Sequence, residues 1–317
     1  MFEAIGFTLL GLLFLALGGD SLVKGAAGLG ARLGISRFAT GLCLVAVATS
    51  RPELAVNARA VLAGDRALAL GNAVGSNIAN IGLTLGVAAL AAPLVVRWRA
   101  LSPLLAVLLL ATVAVAGLSL DGGLSRGEGV VLLLVFVAVV VYAAMRAEDE
   151  SSEVRAEVDA FAMTRGGLGL NLVRVLLASV LLWFGAGWIV ESMPVIGAAL
   201  GMDSLVAGLV LVAVATALPE AAAAIAGARR GQGDIVAGHV IGSSLFNLLV
   251  VLGGMAALGG AVPVPASFVR LELPVAFLFA LLLVPLLRGN TTVSRGEGGL
   301  LLAGFAAWLV LELALLG

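Results

Sequence analysis

The sequence predicts an all-α membrane protein of ten transmembrane helices, arranged as two inverted five-helix repeats. Three observations lead there. The 317 residues are 62% hydrophobic and only 12% charged, with a mean hydropathy of +1.18, which leaves too little charge to wet the surface of a soluble domain. The apolar runs are close in length to the roughly 20 residues that cross a bilayer core as a helix. The second half of the chain repeats the first at an offset of 167 residues.

Taken in order, apolar runs and their polar, Gly or Pro punctuation predict helices near 3–30, 36–62, 67–92, 101–120, 127–146, 168–198, 203–228, 234–259, 270–287 and 297–315. The first run is a membrane helix rather than a signal peptide, because Met1 to Ile5 carries no basic residue. It also leads into Gly18-Gly-Asp20 instead of a small-residue cleavage site. The long polar segment from Arg146 to Arg165, with Glu148, Asp149, Glu150, Glu153, Glu157 and Asp159, separates the halves. It reads as a solvated linker, with regulatory cation binding as the alternative. The expected organisation is therefore a first repeat over 1–146, an acidic cytoplasmic linker over 147–166 and a second repeat over 167–317.

The duplication is carried by motifs as well as composition. Gly41-Leu-Cys-Leu-Val-Ala-Val-Ala-Thr-Ser-Arg-Pro-Glu53 aligns with Gly208-Leu-Val-Leu-Val-Ala-Val-Ala-Thr-Ala-Leu-Pro-Glu220. Gly71-Asn-Ala-Val-Gly-Ser-Asn-Ile-Ala-Asn80 aligns with Gly238-His-Val-Ile-Gly-Ser-Ser-Leu-Phe-Asn247, and both halves reach Leu-Gly at 85–86 and 252–253. Eighteen of the 46 paired positions from 41 to 86 are identical. A bias toward Ala, Leu and Val does not place Pro-Glu, Gly-Ser and Asn in register. Ser125-Arg-Gly-Glu-Gly129 recurs as Ser294-Arg-Gly-Glu-Gly298, so the repeat extends through the fifth helix of each half.

Five helices per unit make the second unit enter the membrane from the opposite side, so the repeats are inverted. Arginine placement agrees. Loops after the odd-numbered helices hold Arg32, Arg37, Arg97, Arg99, Arg146, Arg155, Arg165, Arg229, Arg230, Arg288 and Arg295, whereas the other side holds Arg59, Arg66, Arg126 and Arg270. The positive-inside rule then puts both termini outside and the linker in the cytoplasm.

Charge inside a membrane is costly, so Glu53 and Glu220, at one repeat position in two apolar helices, lead the candidates for chemistry. Pro52 and Pro219 cannot donate to the carbonyls of Ala48 and Ala215, which predicts a kink or break just before each glutamate. Ala46, Thr49, Ser50 and Glu53 fall on one helical face, mirrored by Ala213, Thr216 and Glu220, with Ala217 replacing the serine. The next helices add Asn72, Ser76 and Asn80, and His239, Ser243 and Asn247, at four-residue spacing. Gly71, Gly75, Gly238 and Gly242 permit close helix approach. Carboxylates, hydroxyls, amide oxygens and carbonyls together suit hard cations such as Na+ or Ca2+. The alternative is a proton shared by two glutamates in a structural bundle, with the hydroxyls bonding back to their own helices.

These segments resemble the two alpha-repeats of the cation/Ca2+ exchanger superfamily, in particular prokaryotic Na+/Ca2+ antiporters. The resemblance is most specific at 48–53, 71–80, 215–220 and 238–247. The family pattern Gly-Thr-Ser-Leu-Pro-Glu has alanine for its glycine in both copies, Arg51 for leucine in the first and Ala217 for serine in the second. The resemblance implies ten transmembrane helices, a central site and exchange of several Na+ for one Ca2+ by alternating access. It also implies that Glu53 and Glu220 are shared Ca2+/Na+ ligands. Around them would stand Thr49, Ser50, Ser76, Asn80, Thr216, Ser243 and Asn247 with the carbonyls of Ala46 and Ala213. Some prokaryotic members have aspartate where Asn247 stands.

Other residues carry smaller expectations. Asp20 and Lys24 are spaced for an i, i+4 pair or for snorkelling to an interface. Arg51 points away from Glu53 toward a vestibule, His239 reads as a polar packing residue with proton coupling as the alternative, and Cys43 as apolar filler. One cysteine and one histidine exclude a disulfide and a His/Cys metal centre, and a net charge of -1 offers nothing to nucleic acid. The expected partners are thus Ca2+, Na+ and the bilayer of a prokaryotic plasma membrane, with no resident cofactor, no inferred protein partner and no enzymatic activity. Exchange is expected to be electrogenic and K+-independent. H+/cation exchange and a cation channel stay open as alternatives.

Overall fold

The computed structural model describes residues 1–32, 51–146, 167–229, 231–289 and 292–315. Cys43, the linker over 147–166 and the expected ligands Ala46, Thr49 and Ser50 lie outside the described residues, as do the side chains of Asp20 and Arg51. The described chain is helical almost throughout. Its helices are α1 (Phe2–Arg32), α2 (Arg51–Leu62), α3 (Arg66–Ala91), α4 (Trp98–Leu118) and α5 (Arg126–Arg146). The second half contributes α6 (Leu168–Ala199), α7 (Ser204–Arg229), α8 (Gly233–Gly259), α9 (Ala266–Arg288) and α10 (Arg295–Ala314). Among the described residues, seven helices are long and apolar enough to cross a membrane. The outward faces carry exposed Leu110, Val113, Leu134, Val137, Leu172, Leu176 and Leu300, the surface that lipid rather than water solvates. The protein is a multi-pass membrane protein.

Between the helices lie four two-residue strands: β1 (Leu94–Val95), β2 (Gly123–Leu124), β3 (Val262–Pro263) and β4 (Thr292–Val293). β1 pairs antiparallel with β4, and β2 with β3. In each half one strand follows the third helix and the other precedes the fifth, so both pairs join the halves and exchange under the sequence repeat. Pairing satisfies backbone groups that the loops would otherwise leave open.

Two of the repeated motifs meet each other across the halves. A Cβ on Gly129 would lie 2.6 Å from the Gly253 carbonyl oxygen, and one on Gly298 would lie 2.8 Å from that of Gly86. The Ser-Arg-Gly-Glu-Gly turn of each half therefore packs on the Leu-Gly step of the other, which is why small residues stand at both. α1 lies along α6 with the same economy of volume, since a Cβ on Gly11 or on Gly185 would each be 2.8 Å from the other's carbonyl oxygen.

Two boundaries differ from expectation. α4 starts at Trp98 because Asp234 accepts hydrogen bonds from the backbone N–H and the Nε of Arg97, each at 2.6 Å, and so anchors its entry. α9 starts at Ala266, runs to Arg270, and resumes at Glu272 after a turn at Leu271.

Candidate cation-binding site

Each of α2, α3, α7 and α8 packs against the other three. These four helices hold twelve of the nineteen buried polar or charged side chains among the described residues. A membrane protein core gains nothing from polarity unless the groups are paired or carry a ligand, so the concentration makes this junction the candidate site. Glu53 on α2 is fully buried and Glu220 on α7 is 5% exposed.

α3 delivers Asn72, Ser76 and Asn80 along one stripe, all fully buried. The hydroxyl of Ser76 donates to Oδ1 of Asn72 at 3.3 Å. Past Asn80 the helix widens into a π-helical stretch, Asn80–Leu85, and α8 does the same over Asn247–Leu252, at the same repeat positions. A π turn leaves backbone groups imperfectly paired and recurs at functional sites. Asn80 and Asn247 each begin such a stretch, and neither amide has a hydrogen-bond partner among the described residues. A buried polar group left in that state costs about 1–3 kcal/mol.

α7 differs from the sequence expectation. Of the kink or break predicted before Glu220, the break is not there: the helix runs unbroken over Ala213–Arg229 with Pro219 inside it. The distortion sits earlier, in a π-helical stretch over Ala207–Val212. Proline removes one donor and its fixed φ is itself helical, so the helix continues through Pro219. Pro52 opens the described part of α2, so the corresponding break lies outside the described residues. Thr216 donates its hydroxyl back to the carbonyls of Val212 at 3.0 Å and Ala213 at 3.3 Å. The back-bonding of the structural alternative is therefore present at this residue. It uses the proton only, and the oxygen keeps lone pairs for a cation.

α3 reaches α7 with no side chain between them: a Cβ on Gly75 would be 2.1 Å from the Leu209 carbonyl oxygen, and one on Gly71 would be 2.1 Å from that of Leu205. Backbone contact of this kind sets the glycine face of α3 directly against the start of α7 and its π-helical stretch. The mirrored Gly238 and Gly242 meet no such backbone among the described residues.

The structure also brings in residues that sequence reasoning set aside or missed. His239, read as a packing residue, has its Nε2 3.6 Å from a carboxylate oxygen of Glu220. Asn57, one turn beyond Glu53 on α2, is 1% exposed, and Thr84 on α3 is fully buried. Neither side chain has a hydrogen-bond partner among the described residues. The i, i+4 spacing of Asn57 from Glu53, and of Thr84 from Asn80, was the available signal. Ser243 and Ala213 are fully buried where the repeat puts them.

The same organisation recurs in known proteins. The family model described as sodium/calcium exchanger protein matches residues 3–145 and again 170–314. The inner membrane protein YrbG of Escherichia coli is 34% identical over 98% of this chain and 97% of its own. The putative antiporter CaxA of Alkalimonas amylolytica is 34% identical over 97% of this chain and 98% of its own. The solved structure of the sodium-calcium exchanger NCX_Mj, soaked with Na+ and Sr2+, superposes with a TM-score of 0.68 at 29% identity, covering 98% of each chain. Two family matches, one per half and each enclosing a buried Pro-Glu helix and a Gly-Ser helix, together with full-length similarity, lead to one conclusion: the chain belongs to the sodium/calcium exchanger protein family.

Proposed function

We propose that this protein is a secondary antiporter that exchanges several Na+ for one Ca2+ by alternating access, with Glu53 and Glu220 as the shared carboxylate ligands. The observation that carries the reading is the burial of these two acids at one repeat position, on mutually packed helices that also bury Asn80 and Asn247. A cation at the junction of α2, α3, α7 and α8 would neutralise the carboxylate charge and satisfy the two amides at once. Ser76, Ser243, Thr216 and the Ala213 carbonyl complete its surroundings, with Thr49, Ser50 and the Ala46 carbonyl from the segment before α2. The substrate assignment is supported by the sodium-calcium exchanger NCX_Mj and its soak in Na+ and Sr2+, a larger relative of Ca2+.

The proposal includes ten transmembrane helices as two inverted five-helix repeats, over 1–146 and 167–317, joined by a cytoplasmic acidic linker. The equivalent π-helical stretches and the exchanged strand pairs support it. It also includes a prokaryotic plasma membrane location, for which the similarity to an inner membrane protein speaks. Both termini are extracytoplasmic. Accordingly, in a Cys43→Ala background, Ser151→Cys is labelled only from the cytoplasm and Gly317→Cys only from outside. Labelling of both from one side would overturn the arrangement.

Charge counting at the site sets the coupling. With Asn247 neutral, Glu53 and Glu220 supply a formal charge of -2, which one Ca2+ neutralises without a companion K+. Several Na+ exceed that charge, so the Na+-loaded carrier is positive and exchange responds to voltage. The test is uptake of radiolabelled Ca2+ into proteoliposomes against an outward Na+ gradient, with choline replacing K+ on both sides. Uptake is expected to follow the Na+ gradient undiminished. A strict K+ requirement would remove the Asn247 argument, drive by a pH gradient would make the protein an H+/cation exchanger, and flux indifferent to either gradient would make it a channel.

A further inference from the structure

We propose that His239 makes the Glu220 half of the site a mixed nitrogen and oxygen chelate, so that the protein also takes up borderline divalent cations such as Zn2+ and Co2+. The inference rests on the cation site proposed above and extends its substrate class.

The two halves of the site differ at one chemically decisive position. Where α3 has Asn72, whose amide oxygen accepts from Ser76, α8 has His239. The imidazole Nε2 is buried and faces the Glu220 carboxylate at 3.6 Å. That separation suits a shared metal ion. With bonds of about 2.1 Å from zinc to imidazole nitrogen and to carboxylate oxygen, a 3.6 Å gap corresponds to a ligand–metal–ligand angle near 118°, close to tetrahedral.

Nitrogen changes what the site prefers. Ca2+ and Na+ are hard and take oxygen donors, and imidazole adds little for them. Zn2+ and Co2+ bind imidazole strongly and stand higher in the affinity order of divalent metals. On α8, Ser243 follows His239 by four residues and so shares its face, placing a hydroxyl oxygen within the same stripe. No third His, Cys, Asp or Glu joins His239 and Glu220 among the described residues. A structural zinc site is closed by four strong ligands. Two strong ligands completed by hydroxyl and water describe an exchangeable ion, as transport requires.

The chain has a single histidine, so tag-free protein labelled with 15N-histidine carries one imidazole, and its Nε2 resonance reports this site alone. Titration with Zn2+ is expected to move that resonance saturably, Ca2+ to reverse the shift by competition, and Glu220→Gln to weaken it at least tenfold. His239→Asn, which installs the amide of the first half, is expected to lower the preference for Co2+ over Ca2+ about tenfold in competition binding. An unmoved resonance, a shift equal in Glu220→Gln, or an unchanged metal preference in His239→Asn would overturn the inference. These readouts need no ion gradient. A saturable Zn2+ shift in protein that fails Na+-driven Ca2+ uptake would therefore retain the chelate and reject the exchange reading. Normal Ca2+ uptake with an unmoved resonance would do the reverse.

Discussion

Glu53→Gln and Glu220→Gln each abolish Na+-driven Ca2+ uptake while leaving a folded, monodisperse protein. Glutamine keeps the volume and one oxygen ligand and removes the charge, so each substitution halves the fixed negative charge available to a divalent ion. At an effective dielectric constant of about 20, a pair of unit charges about 4 Å apart is worth roughly 4 kcal/mol, and a divalent ion doubles it. Dehydrating the ion cancels much of this. A remainder of about 3 kcal/mol already weakens Ca2+ binding more than hundredfold. Folding should survive, because a neutral amide is less costly to bury than a carboxylate. The measurement is initial-rate uptake beside size-exclusion profiles. Near-normal uptake by either purified variant would remove that residue from the site.

Gly75→Ala costs the protein most of its folded yield, and Gly71→Ala acts in the same direction. The new methyl group would lie 2.1 Å from the Leu209 carbonyl oxygen in the first case and 2.1 Å from that of Leu205 in the second. Both obstacles are backbone. No rotamer change relieves them, and α3 and α7 must separate by more than an ångström. Overpacking of a well-filled core costs about 1–3 kcal/mol even where side chains can yield, so a backbone clash belongs at or above the top of that range. Gly254→Ala on α8 is the control, since its Cβ meets nothing within 4 Å among the described residues. There alanine gains up to about 1 kcal/mol of helix propensity. Apparent melting temperatures in detergent should therefore move in opposite directions. A Gly75→Ala protein as stable as the parent would show that α3 and α7 are not in backbone contact.

The sequence by itself determined the class of protein and singled out two acids that the fold buries. Composition excluded a soluble surface, and the register of Pro-Glu, Gly-Ser and Asn across the 167-residue offset picked out Glu53, Glu220, Asn80 and Asn247. Such features are legible because a membrane core holds few polar residues, and the repeat shows each of these twice. The tertiary structure alone decided how the proline is accommodated. A missing N–H predicts a kink or break at Pro219, yet α7 runs continuous through Glu220, with a π-helical stretch over Ala207–Val212 ahead of it. It also decided which residues join the acids. His239 is 19 positions from Glu220 on the next helix, and only the packing of α8 on α7 sets its nitrogen 3.6 Å from that carboxylate. The glycines of α3 were visible as small residues, yet the backbone they touch was not, because helical periodicity defines a face and leaves its partner open. Contact between residues distant in sequence depends on how whole helices pack, and that is a property of the assembled bundle.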